Sequence, residues 1–215
     1  MLNESMTGDR PLLVTHTTDS ISVIRFNRPS ERNPLSIGLL KELQRVLDSI
    51  LPREDIKAII FTGDEDVFAS GADIRELTSL DSQSARSFSE FGQNLFQTIA
   101  DARQVTIAAI NGYCMGGALD LALACDIRVA SANAVFAHPG ARLGIITGWG
   151  GTQRLRRIIG RARALEFFAT ARRLKSEEAL EMGLVSKVCD PVLDSAIKLG
   201  NSLEMKTGAE LNSGA

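Results

Sequence analysis

Short apolar runs alternate along this 215-residue chain with segments whose apolar residues recur at helical spacing, and that alternation limits the folds open to it. Ala58-Ile59-Ile60-Phe61, closed by Thr62-Gly63-Asp64, and Val105–Ile110, ended by Asn111-Gly112, are too short and too uniformly apolar to be surface helices and read as buried strands. Around them lie two amphipathic segments. One runs from an N-cap at Ser36 to Ile50, with Leu39, Leu40, Leu43, Val46, Leu47 and Ile50 on one face; the other runs from about Ser84 to Ala102, with Phe88, Phe91, Leu95, Phe96 and Ile99. Leu12–Thr15 and Ile21–Phe26 read as a hairpin, Asn27–Pro34 as a loop and residues 64–83 as a long connection. Further on, Ile127–Ala130 and Ala134–Phe136 read as strands, and Ala118–Cys125 as a helix opened by Gly116-Gly117. Strands alternating with helices predict an α/β layered domain built from right-handed crossovers. Helices are expected over Thr152–Ile159, Ala162–Thr170 and Ser176–Met182, a strand over Leu184–Cys189, and a last helix from Pro191.

A chain that is 44% apolar and 23% charged can bury a sizeable core. Its net charge of −2 offers no global attraction for nucleic acid or a membrane surface. Cys114, Cys125 and Cys189 are widely spaced and odd in number, and His16 and His138 are the only histidines, so neither a disulfide framework nor a metal site is expected. The first residues, MLNESMTGDRP, hold no apolar stretch of the secretory type, and the longest uncharged run, Gln104–Leu119, is broken by glycines. A cytoplasmic protein is the expectation.

Eight of the eighteen glycines fall between Gly112 and Gly151. Glycine weakens helices and strands, so such a density points either to tight packing or to backbone approached closely by a ligand. Asn111-Gly112-Tyr113-Cys114-Met115-Gly116-Gly117-Ala118 leaves a buried strand and enters a helix, whose first N–H groups lack intrahelical partners. Val67-Phe68-Ala69-Ser70-Gly71-Ala72-Asp73-Ile74-Arg75 is a second loop of small residues after a buried strand. Two amides from such segments, converging on one oxygen, form an oxyanion hole. The chain has neither GxxxxGK[ST] nor GxGxxG, so phosphate-loop and dinucleotide folds lose their main support.

These segments come in order with Phe26-Asn27-Arg28-Pro29, Asn33, Leu35, Gly148-Trp149-Gly150-Gly151-Thr152-Gln153-Arg154-Leu155 and Ala179-Leu180-Glu181-Met182-Gly183-Leu184-Val185. Together they resemble the crotonase superfamily, the enoyl-CoA hydratase/isomerase group, from about Val14 to Val192. The resemblance implies a spiral of ββα units followed by C-terminal helices, and an acyl-CoA enzyme that stabilises a thioester enolate. It assigns the two oxyanion amides to Ala72 and Gly117 and a carboxylate acid/base to Asp120. Contacts to coenzyme A, as part of the substrate and with no prosthetic group, fall to Arg28, Leu35, Ala72, Asp73, Ile74 and Arg75. It further implies a homotrimer or a dimer of trimers. Residues 1–10 read as a loose arm, 11–190 as the core domain and 191–215 as a helical segment shorter than the family's, which implies a more open pocket, a weaker trimer or a wall supplied differently.

The chain departs from the family's hydratase pattern at two positions. The first glutamate is Asp120, one methylene shorter, and the second is Gly140, within Phe136-Ala137-His138-Pro139-Gly140. The position where related dehalogenases and hydrolases often carry an aspartate is Gly148. Three readings of Gly140 stay open: Asp120 alone runs hydration or double-bond isomerisation; a water, bicarbonate or substrate carboxylate serves as the missing base; or acyl-CoA is bound without efficient turnover, as in an assembly subunit. His138 is a candidate base or a hydrogen-bonded structural residue. Trp149, where a small residue is usual, is a candidate wall of the acyl pocket, and Tyr113 and Cys114 read as packing. Arg154, Arg156, Arg157, Arg161 and Arg163 read as a solvated helix face or subunit ion pairs rather than a nucleic-acid site.

Overall fold

The computed structural model describes residues 11–16 and 20–206; the arm expected at residues 1–10 and the polar end at 211–215 lie outside them. The elements are β1 (Leu12–His16), β2 (Ile21–Phe26), β3 (Pro34–Leu35), α1 (Ile37–Ile50), β4 (Ala58–Thr62), β5 (Val67–Ala69), β6 (Gly71–Ala72), α2 (Ile74–Leu77) and α3 (Ser82–Ala100). There follow β7 (Val105–Ile110), β8 (Tyr113–Met115), α4 (Gly117–Ala124), β9 (Ile127–Ala130), β10 (Val135–Ala137), α5 (Gly140–Leu143), α6 (Gly151–Ile159), α7 (Arg161–Thr170), β11 (Arg173–Lys175), α8 (Ser176–Glu181), β12 (Lys187–Val188) and α9 (Val192–Asn201).

A six-stranded sheet in the order β1-β2-β4-β7-β9-β12 is parallel apart from the β1–β2 hairpin. A second sheet, β11-β10-β8-β5, stands beside it, with β3 and β6 as a two-stranded parallel pair. The chain spirals between them: β4 then β5, β7 then β8, and β9 then β10 each place one strand in the large sheet and the next in the small one. Strand β4 is buried on both faces. Ile59 and Phe61 face the core that α1, α3 and α4 share, while Ala58 and Ile60 face a second core against α9. That double burial explains why its sequence lacks polar alternation. Among the described residues no helix is long and apolar enough to cross a membrane.

The hairpin, α1 with Ser36 as its N-cap, β7 and β9 lie where the sequence reading puts them. Several segments differ: β3, β8, α5 and β11 form where no regular element is expected, and two more depart as follows. Residues 64–83 carry β5, β6 and α2, because strands of two or three residues are too short to show a period. Leu184 and Val185 are not strand: both amides bond back to the Ala179 carbonyl, and their side chains are buried. Their apolarity reflects packing beneath the turn, and β12 shrinks to Lys187–Val188.

Asn33 fastens the first loop to the site. Fully buried, it donates from Nδ2 to the Val67 and Phe68 carbonyls (3.1 and 3.2 Å) and accepts at Oδ1 from the Arg28 amide (2.6 Å). This holds β3 in register with β6, Leu35 opposite Ala72.

Candidate active site

Two turns meet at the amino end of α4. Gly71 has φ +91, and a Cβ there would stand 2.6 Å from the Met115 carbonyl oxygen and 2.8 Å from the Gly117 nitrogen. Gly116 has φ 54 and ψ −122; its amide is bonded to the Ala137 carbonyl (2.9 Å) and its carbonyl accepts from the Leu119 and Asp120 amides (2.9 and 3.2 Å). Only glycine meets both backbone demands without strain. The Ala72 and Gly117 nitrogens are thereby neighbours, since a Cβ on Gly117 would lie 3.4 Å from the Ala72 nitrogen. As the first residue of α4, Gly117 has an amide without an intrahelical acceptor.

Ala72, Ile74, Gly117 and Asp120 line one cavity of about 350 Å³. Phe88 and Ser89 from α3, His138 and Gly140 after β10, and Ile145, Thr147 and Trp149 are also part of its wall. Arg28, Leu35, Asp73 and Arg75 lie outside that lining. Leu35 is fully buried and backs Ala72 through the β3–β6 pair. Arg75, with a largely exposed side chain, grips Asp73 through Nε and Nη2 (3.0 and 2.7 Å). That guanidinium holds the Asp73 carboxyl below the usual carboxylate range, and Asp73 in turn caps α2 by accepting from the Arg75 amide.

Asp120 is buried at 1% exposure in the first turn of α4. Its Oδ2 accepts from the Thr147 hydroxyl. The amino end of α6 abuts Oδ1, where a Cβ on Gly151 would collide with it. Two helix starts thus border this carboxylate. His138 Nε2 lies 3.6 Å from Oδ1. Its ring is buried and meets Phe168 edge-on at 5.1 Å. Burial first, and then the Asp120 charge, push the Cys114 thiol well above its ordinary value, so Cys114 is a packing residue.

Beside Gly140 stands protein. A Cβ there would be 2.5 Å from the Ile145 carbonyl oxygen and 3.4 Å from His138 Nδ1. The Gly140 carbonyl also accepts from the Ile145 amide (3.0 Å). Trp149 is buried, packs edge-on against Phe88 and Phe96, and presses its ring against Gly92 and Gly117, leaving neither room for a Cβ. Arg154 supports it by donating to the Trp149 carbonyl (3.0 Å) and to Gln97 Oε1 (3.0 Å), while Arg156, Arg157, Arg161 and Arg163 face solvent. Thr147 escaped the sequence reading: no local pattern reveals a donor 27 residues from its acceptor. Among the described residues no group of three or more His, Cys, Asp or Glu could hold a metal ion.

The family model for enoyl-CoA hydratase/isomerase matches residues 16–212. The short-chain-enoyl-CoA hydratase of Clostridium acetobutylicum is 38% identical over 186 residues, covering 85% of this chain and 71% of that protein. The crotonyl-CoA hydratase of Syntrophomonas wolfei is 36% identical over 180 residues, covering 83% and 69%. The crystal structure of enoyl-CoA hydratase from Bacillus anthracis superposes with a TM-score of 0.85 at 36% identity, covering 89% of this chain and 75% of that one. With its spiral of paired strands and this extent of likeness, the chain belongs to the enoyl-CoA hydratase/isomerase family.

Proposed function

We propose that this chain hydrates 2-enoyl thioesters of coenzyme A, with the Ala72 and Gly117 amides as oxyanion donors and Asp120 as acid/base. The observation that carries the reading is the convergence of two glycine-bearing turns beside a buried carboxylate in one cavity. As water adds to the β-carbon, its oxygen forms the new C–O bond, its proton passes to the carboxylate and the π pair moves onto the thioester oxygen. The enolate then collapses and the α-carbon takes up a proton. Charge develops on the oxygen between two amides, and each such donor typically contributes a few kcal/mol. Coenzyme A enters as part of the substrate, and the reaction needs no prosthetic group. A homotrimer or dimer of trimers, carried over from the family, and a cytoplasmic location, expected from the cysteine usage, belong to the same reading; sedimentation of the purified protein tests the assembly.

The direct test is hydration of crotonyl-CoA, followed by loss of the conjugated thioester chromophore, in wild type and Asp120→Asn. The variant is expected to lose roughly 100- to 10,000-fold in kcat. Equal rates overturn the role of Asp120. Double-bond isomerisation is the second reading, favoured by Gly140: with the Ile145 carbonyl beside it, the site offers one carboxylate, and one suffices to move a proton between carbons of a 3-enoyl thioester. A 3-enoyl-CoA assayed with the same two proteins separates the two reactions.

A further inference from the structure

Among the described residues, four buried side-chain polar atoms lack a hydrogen-bond partner, and two of the four belong to facing residues of the cavity wall: Asp120 Oδ1 and His138 Nε2. Leaving such atoms unpaired costs about 1–3 kcal/mol each, more for a charged group. Both side chains are nonetheless fixed from behind. Thr147 holds the other carboxylate oxygen, and Phe168 packs on the imidazole. Their separation of 3.6 Å lies just beyond hydrogen-bond length. Gly140, beside His138 Nδ1, contributes no side chain to this wall.

We infer that Asp120 and His138 work as one proton-carrying pair, in which His138 supplies through Nε2 the second acid/base group that position 140 lacks. The inference rests on the thioester reading above. During hydration the proton released by water enters the pair as the C–O bond forms. A proton leaves the pair for the α-carbon as the enolate pair returns from oxygen to carbon, so the dyad ends each turnover as it began. The other titratable groups facing this carboxylate are Cys114 on β8 and Arg154 on α6. Neither stands between Asp120 and His138.

The test compares wild type, His138→Gln, Asp120→Asn and the double variant, with folding checked by thermal unfolding. Each is assayed for crotonyl-CoA hydration across pH and for exchange of the α-protons of butyryl-CoA in D2O. In that exchange the Cα–H bond breaks, its pair moves to the thioester oxygen, the pair takes the proton, and a deuteron returns. Expected for His138→Gln is a loss in kcat of about 10- to 100-fold with KM within about twofold, together with loss of one limb of the pH–rate profile. The double variant should stay within about threefold of Asp120→Asn alone, since the two groups act as a unit. A His138→Gln enzyme with wild-type hydration, exchange and pH profile overturns the pair and leaves the hydratase reading standing. His138-dependent exchange in a wild type that hydrates no enoyl-CoA supports the pair and overturns hydration. Absence of both activities overturns both.

Discussion

The Thr147 hydroxyl donates to Oδ2 of Asp120, joining the loop before α6 to the first turn of α4. The bond leaves Oδ1 as the carboxylate atom directed at His138. A single hydroxyl thus decides which carboxylate oxygen is hydrogen-bonded, and it also holds a side chain one methylene shorter than the family's usual glutamate.

Removing that hydroxyl should damage chemistry more than binding. Thr147→Val keeps the shape and abolishes the donor, so kcat should fall about 10-fold with KM little changed. Thr147→Ser, which keeps the hydroxyl, should retain most of the activity. Steady-state kinetics on crotonyl-CoA check both, and an unaltered Thr147→Val removes the positioning role.

Trp149 is at once a core residue and a wall of the cavity. Its truncation to alanine should cost about 3–5 kcal/mol of stability, the usual range for a buried aromatic. It should also open space beside Gly117 and shift preference toward longer or bulkier acyl chains. Chain-length series of enoyl-CoAs measure the second effect, and unchanged selectivity counts against the wall.

Restoring a carboxylate at position 140 should fail. In Gly140→Glu the new Cβ meets the Ile145 carbonyl oxygen at 2.5 Å, and backbone cannot yield as a flexible side chain can. The expected outcome is lower thermal stability, by about 1–3 kcal/mol for such overpacking, and hydration no faster than wild type. A stable variant with a faster rate would show that the loop gives way.

The buried thiols make a pH prediction. Burial is the first cause raising both Cys114 and Cys125 above the ordinary thiol value of 9.0. On unfolding each thiol returns to that value and ionises, so the stability they contribute is present below about pH 9 and lost as pH rises beyond it. Chemical denaturation should show declining stability in this alkaline window, and less decline in Cys125→Ala. Thiol reagents should modify the partly exposed Cys189 well before either buried cysteine in the folded protein.

The sequence alone determined the scaffold and the chemistry of its bends. The period of α1 and the unbroken apolarity of β4 and β7 follow from burial rules that act locally; Gly71 stands where backbones come too close for a side chain, and Gly116 where the backbone takes a positive φ. What only the tertiary structure decided is which side chains meet: Thr147 with Asp120, His138 with the same carboxylate, Trp149 with Gly117, and the Ile145 carbonyl with Gly140. Those contacts join elements far apart in the chain. Local patterns report the face a residue turns to the core, whereas the neighbour it finds there depends on how the turns of the spiral stack.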